Sequence, residues 1–170
     1  AMIIDAMDIL HRENIDGFCI VSSDSDFTRL ATTLRESGKL VIGMGEQKTP
    51  KPFVSACNRF IYIELLQNTT SAIDAPKSKV AKQNSYVSDM SKDDLIELLN
   101  QSITDLADDD GWAFLGDLGN LLLKKKPDFD PRSFGFPKLT PLIESMKEDF
   151  IVEKRNVGNS YCQHIYVKRK

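Results

Sequence analysis

The sequence predicts an α/β protein: a parallel-sheet domain followed by a small α+β winged helix-turn-helix domain. Three observations carry this. Phe18, Cys19, Ile20 and Val21 form a continuous apolar run of the kind a strand buried on both faces needs, and Phe27, Leu30, Ala31 and Leu34 then recur at helical spacing. Two further apolar runs, Leu40–Met44 and Phe60–Leu65, follow after short connections, and strand-helix-strand order with short links is the pattern of a doubly wound parallel sheet. In the last third, three helical patterns precede two alternating segments around Asn156-Val157-Gly158-Asn159, a hairpin turn signal.

In order, Ile3, Ile4, Met7 and Leu10 predict a helix over 3–12, with Asp5 and Asp8 one turn apart on it. The loop Asn14–Gly17 leads into the first strand. Ser22 and Ser23 end that strand, and Asp24 and Asp26 follow at once. Two carboxylates therefore sit where a strand hands over to a helix, and ligands of open α/β sheets bind outside the carboxyl ends of strands. Such a pair suits a hard divalent cation, Mg²⁺ or Mn²⁺. The competing account is local: Ser23 with Asp26 three residues on has the form of a helix capping box. Gly38 is placed to end the helix as a C-cap, and Val54–Arg59 fits a short helix. Three strands make half a domain, so an N-terminal portion is expected upstream.

Residues 67–91 are polar, small and lysine-bearing with little periodicity, which predicts a linker between domains at 1–66 and 92–170. Ser91 reads as an N-cap with Asp94 at the capping-box position. Helices follow over 92–106, 115–124 and 139–146, separated by the DDDGW turn and by a loop with three prolines and buried phenylalanines. Strands are expected over 150–153 and 161–167. In this arrangement the third helix and the wing are the elements that meet nucleic acid.

Composition sets bounds. The 170 residues are 41% hydrophobic and 28% charged, ordinary for a soluble globular protein of one or two domains. No apolar run nears the roughly 18 residues needed to span a bilayer, and AMIIDAMDIL lacks the basic region and cleavage site of a secretory signal. Cys19, Cys57 and Cys162 are odd in number and far apart, so they read as reduced, packed thiols of a cytoplasmic protein. His11 and His164 have no ligand-spaced partners. A net charge of −3 excludes a polybasic nucleic-acid binder, yet residues 151–170 hold Lys154, Arg155, Lys168, Arg169 and Lys170 against Glu153 alone, a local +4.

The segment from Ile3 to Leu66 resembles the NYN domain, a branch of the PIN-like nucleases. The likeness rests on Ser22-Ser23-Asp24-Ser25-Asp26-Phe27 after a hydrophobic strand, then Gly38-Lys39 and Gly43-Met44-Gly45. The resemblance implies metal-dependent phosphodiester hydrolysis of RNA by an acidic cluster, with Asp24, Asp26 and Asp5 as catalytic and metal-holding residues and Ser22 as a phosphate or metal-water contact. Ser23 stands where the family pattern has Gly, and Asn58 where many members have Asp. The segment from about Asp93 to Lys168 resembles the OST-HTH or LOTUS domain. That likeness rests on Trp112, Leu115-Gly116-Asp117-Leu118-Gly119, Pro127-Asp128-Phe129-Asp130, Phe134-Gly135-Phe136-Pro137-Lys138-Leu139 and Leu142-Ile143. It implies a module that binds RNA or a protein partner, with Lys124, Lys125, Lys126, Arg132 and Lys138 as candidate phosphate contacts. Trp112 itself reads as a core residue in preference to a base-stacking platform. A homodimer is compatible with the PIN-like resemblance.

Two other functions stay open on the residues. A non-catalytic RNA-binding adaptor with a degenerate NYN domain is one. A haloacid-dehalogenase-like phosphatase is the other, since Asp24-x-Asp26-x-Thr28 after a strand is also its nucleophile motif. That family needs a strand-terminal acidic pair further on, and DLADDDG follows a helix.

Overall fold

The computed structural model describes residues 2–67, 90–156 and 163–170, which form two compact units. Most of the expected linker, 68–89, lies outside the described residues, as do turn residues 157–159 and Cys162.

The first unit runs α1 (Met2–Arg12), β1 (Gly17–Val21), a 3₁₀ turn (Ser25–Phe27), α2 (Thr28–Glu36), β2 (Leu40–Gly45), α3 (Lys51–Ala56), β3 (Arg59–Tyr62) and α4 (Glu64–Gln67). The strands pair in parallel in the order β1-β2-β3, with Val21 opposite Met44 and Gly45 opposite Tyr62, so their carboxyl ends share one edge. One sheet face is packed: Ile20, Val41 and Phe60 meet Leu30, Ala31 and Leu34 of α2 and Phe53 and Val54 of α3. Ala6, Met7 and Leu10 of α1 pack against the same core. Phe53 and Phe60 cross at 81° with centroids 5.9 Å apart, edge-to-face geometry that adds about 0.5–1.5 kcal/mol to simple burial.

The expectation of strands buried on both faces fails on the other side. Cys19 is exposed, Val21 is 67% exposed and Leu40 51%. A continuous apolar run records only that both faces are apolar, not that both are covered. Two bounds also shift. The short helix expected over Val54–Arg59 runs from Lys51 to Ala56. The third strand ends at Tyr62 and residues 64–67 turn helical, with Glu64 as an acidic residue in the first turn, where the helix dipole favours it. Gly38 ends α2 as expected, with φ +77°. Cys57 is a buried thiol as expected, and burial pushes its pKa up to about 11. Asp8 pairs with Arg12 on the surface of α1 at 2.7 Å.

The second unit runs α5 (Lys92–Leu106), β4 (Trp112–Phe114), α6 (Leu115–Lys125), a 3₁₀ turn (Pro131–Phe134), α7 (Leu139–Glu144), β5 (Phe150–Asn156) and β6 (Gln163–Arg169). Ser91 and Asp94 form the expected capping box, Ser91 Oγ accepting from Asp94 N and Asp94 Oδ2 from Ser91 N. The sequence reading misses β4, and the sheet is three-stranded in the order β4-β6-β5. A three-residue strand is too short to show alternation. It is set instead by the turn before it, where Gly111 takes φ +78° and Asp108 Oδ1 accepts from Trp112 N at 2.9 Å.

The core of this unit is Leu95, Leu99 and Ile103 of α5 against Leu118 and Leu122 of α6, Leu142 and Ile143 of α7, and Ala113, Phe150 and Val167 of the sheet. Phe129 is buried there and Phe134 and Phe136 pack on it, as expected of that loop. Trp112 is not part of this core; it is half-buried on the outer sheet face, a correction to its reading as a core residue. Ser102 is fully buried among these apolar residues, and its hydroxyl has no hydrogen-bond partner among the described residues. An unsatisfied buried hydroxyl costs about 1–3 kcal/mol. Ser102→Ala is therefore expected to raise unfolding stability by about 1 kcal/mol, read as a higher urea midpoint at unchanged slope.

Candidate functional site

Asp24 and Asp26 lie just beyond the carboxyl end of β1, at the edge where all three parallel strands end. The turn that presents them is built from side chains. Asp24 N donates to Ser22 Oγ at 3.1 Å, and Asp26 N donates to Asp24 Oδ1 at 3.0 Å. Asp24 is thus the cap of the 3₁₀ turn, with φ −95° and ψ 130°. The capping box expected of Ser23 and Asp26 does not form. Ser23 Oγ instead accepts from Glu46 N at 2.9 Å, tying the end of β1 to the end of β2. Ser22 N donates to Met44 O across the same junction.

Local capping therefore accounts for one oxygen of Asp24. It leaves Asp26 unexplained: this carboxylate is exposed and makes no hydrogen bond or ion pair among the described residues. Asp5 is exposed on α1, and no group of three or more His, Cys, Asp or Glu side chains is placed to hold a metal among the described residues. Asp5 is therefore not brought into a three-carboxylate group with Asp24 and Asp26.

Two acidic residues missed in the sequence share the strand-end edge. Glu46 follows β2 directly, and half-buried Glu64, two residues beyond β3, accepts from Gln47 N through Oε1 at 2.9 Å. Each stands within two residues of a parallel strand's carboxyl end, but only the paired register, and the end of β3 at Tyr62 instead of Leu65, bring them to this edge. Asn58, in contrast, sits at the opposite, amino-terminal end of the sheet. Its Oδ1 accepts from Val41 N and its N donates to Val41 O, both at 2.8 Å. It joins the start of β3 to β2 and has no place among the strand-end carboxylates.

The glycines of Gly43-Met44-Gly45 are fixed by close approach. A Cβ on Gly43 would fall 2.5 Å from the Phe60 ring, and one on Gly45 would fall 2.5 Å from Ser22 O. The second contact matters for the site, because Ser22 holds the Asp24 turn.

Mg²⁺ is commonly held through one or two carboxylates, with waters and substrate phosphates completing its shell. The carboxylate of Asp26, unbonded among the described residues, and the second oxygen of Asp24 are hard donors of the kind such an ion takes.

The candidate cations singled out after residue 91 divide. Arg132 donates to Asp130 through Nε and Nη2 at 2.6–3.1 Å, which also raises its pKa, and Asp130 caps the following 3₁₀ turn. Lys125 pairs with Asp105 at 2.7 Å, and Lys126 stands 4.0 Å from Asp128. Lys124 and Lys138 are exposed and make no ion pair among the described residues. No helix among the described residues is long and apolar enough to cross a membrane.

No curated protein matches the chain significantly. A solution NMR structure of an uncharacterized protein from Nitrosomonas europaea is 32% identical, covering 58% of this chain and 83% of that one, with a TM-score of 0.40. Among protein families, the NYN domain matches residues 1–64 and the OST-HTH/LOTUS domain residues 87–162. The parallel sheet with its helices and the small winged-helix unit are the folds these families lead one to expect. The chain carries an NYN domain followed by an OST-HTH/LOTUS domain.

Proposed function

We propose that this protein is a metal-dependent ribonuclease whose NYN domain hydrolyses RNA phosphodiesters and whose LOTUS domain holds the RNA. The single observation that supports cleavage is the carboxylate pair at the strand-end edge, with Asp26 free of any structural partner among the described residues. Carboxylates alone repel an anionic substrate, so a bound cation is what makes this edge hospitable to phosphate. Asp24 and Asp26 would hold Mg²⁺ or Mn²⁺, which supplies Lewis acidity and a more acidic water. Ser22 Oγ accepts from Asp24 N and so positions the turn, while its hydroxyl proton stays available to donate to a phosphate oxygen or a metal-bound water. Of the five cations singled out by sequence, Lys124 and Lys138 make no ion pair among the described residues and are open to phosphate. Both domain families support RNA as the substrate.

The test is cleavage of a labelled single-stranded RNA by the intact protein in Mn²⁺ against EDTA. Products in Mn²⁺ and none in EDTA are expected. RNA bound equally in both, with no products, would sink catalysis and leave an RNA-binding adaptor.

A further inference from the structure

The outer face of the winged sheet carries a layer of rings outside the hydrophobic core. Antiparallel pairing sets Trp112 opposite Lys168, Phe114 opposite Tyr166 and His164 opposite Arg155. Residues paired directly across strands share a face. The alternate row, Ala113 with Val167 and Val152, points inward, and its first two members are fully buried. Trp112, Phe114, His164 and Tyr166 remain half-buried, and none belongs to the core cluster. Their rings are contiguous. Phe114 lies 5.1 Å from His164 and 5.7 Å from Tyr166 between centroids. The Arg155 guanidinium lies over both Trp112, at 4.8 Å, and Tyr166, at 4.6 Å, while Lys168 Nζ is 5.9 Å from Trp112.

We propose that this face binds single-stranded RNA, with bases stacking on the Trp112–Tyr166 layer and phosphates paired by Arg155 and Lys168. The proposal rests on the reading that the protein acts on RNA, and adds the surface and the mode. Rings in a row on an open sheet, with cations over them, supply both things a single strand offers: π-faces and closely spaced negative charge. A guanidinium stacked on rings can also carry a base on its own free face.

Both cations rest on local acceptors. Arg155 bonds Glu153 at 3.2 and 3.4 Å, and Lys168 Nζ donates to Asp110 O at 2.7 Å. The Arg155–Glu153 pair is exposed, and exposed ion pairs are weak. A phosphate can displace Glu153 readily, so Glu153 is a competitor whose removal favours RNA.

Trp112 is the sole tryptophan of the chain, so its emission reports on this face alone. The experiment titrates the intact protein with a single-stranded RNA of roughly a dozen nucleotides. Anisotropy of labelled RNA reads binding, and Trp112 emission with unlabelled RNA reads stacking. Quenching that saturates together with anisotropy is expected. Tyr166→Leu should weaken binding about tenfold. Arg155→Gln with Lys168→Gln should flatten the slope of log affinity against log salt by about 1.4, the share of two phosphate contacts on a single strand. Glu153→Gln should tighten binding. Circular dichroism checks that each variant is folded, and the emission readout needs no variant. RNA binding with unchanged Trp112 emission overturns this surface and leaves the RNA reading intact. So does unchanged affinity in the folded variants. No RNA binding at all overturns both.

Discussion

The double variant Asp24→Asn, Asp26→Asn is expected to lose metal-dependent RNA cleavage by roughly a thousandfold while keeping its fold. The size follows from the chemistry. A cation at a transferring phosphate contributes several kcal/mol of charge stabilisation, and each ~1.4 kcal/mol is a factor of ten in rate. Asparagine keeps the shape and an acceptor oxygen but lacks the charge that holds a hard cation. Structure is spared for the same reason. Asn caps as well as Asp, so the bond from residue 26 N to residue 24 Oδ1 survives the change. Asp26 loses nothing, because its carboxylate bonds to nothing among the described residues. The unfolding free energy should therefore move by no more than about 0.5 kcal/mol. Single-turnover cleavage and urea unfolding on the same preparation separate the two effects. A double variant that cleaves at the parent rate in Mn²⁺ would remove both residues from the site.

Much of this fold was legible because its signals are local. The strand, two-carboxylate turn and helix from Phe18 to Leu34 announce themselves by period, and the Ser91–Asp94 box by identity and spacing. What was not legible depends on three dimensions. Whether Cys19, Val21 and Leu40 are covered is a property of neighbours, and an apolar run cannot report it. Ser23 satisfies the capping pattern in sequence, yet the adjacent strand brings Glu46 N to its hydroxyl and Asp24 becomes the cap. Trp112 reads as core until β4 is seen to pair with β6, which turns its ring outward beside Tyr166. The site shows the same division. Asp24 and Asp26 are found by motif, whereas Glu46 and Glu64 join their edge only through the parallel register.

That register makes the second large prediction. Gly45→Ala is expected to cost about 1–3 kcal/mol and to abolish most cleavage, although Gly45 carries no functional group. Its Cβ would sit 2.5 Å from Ser22 O and 2.7 Å from Thr49 Oγ1. Ser22 O is backbone, so relief requires moving the end of β1. Thr49 is buried and hydrogen-bonded to Glu46 O, so it cannot step aside cheaply. Any shift of Ser22 carries with it the hydroxyl that accepts Asp24 N, and through Asp24 the amide of Asp26. The carboxylates are thus aimed by a backbone contact between two strands. Gly38→Ala provides the control. A Cβ there meets nothing within 4 Å, but its φ of +77° strains any other residue by about 1 kcal/mol. Both variants lose stability, by strain in one and collision in the other. Cleavage per folded molecule, measured with urea unfolding to fix the folded fraction, should fall only for Gly45→Ala. Equal cleavage per folded molecule in the two would mean that strand-end packing does not aim the acids. The turn's own hydrogen bonds would then suffice.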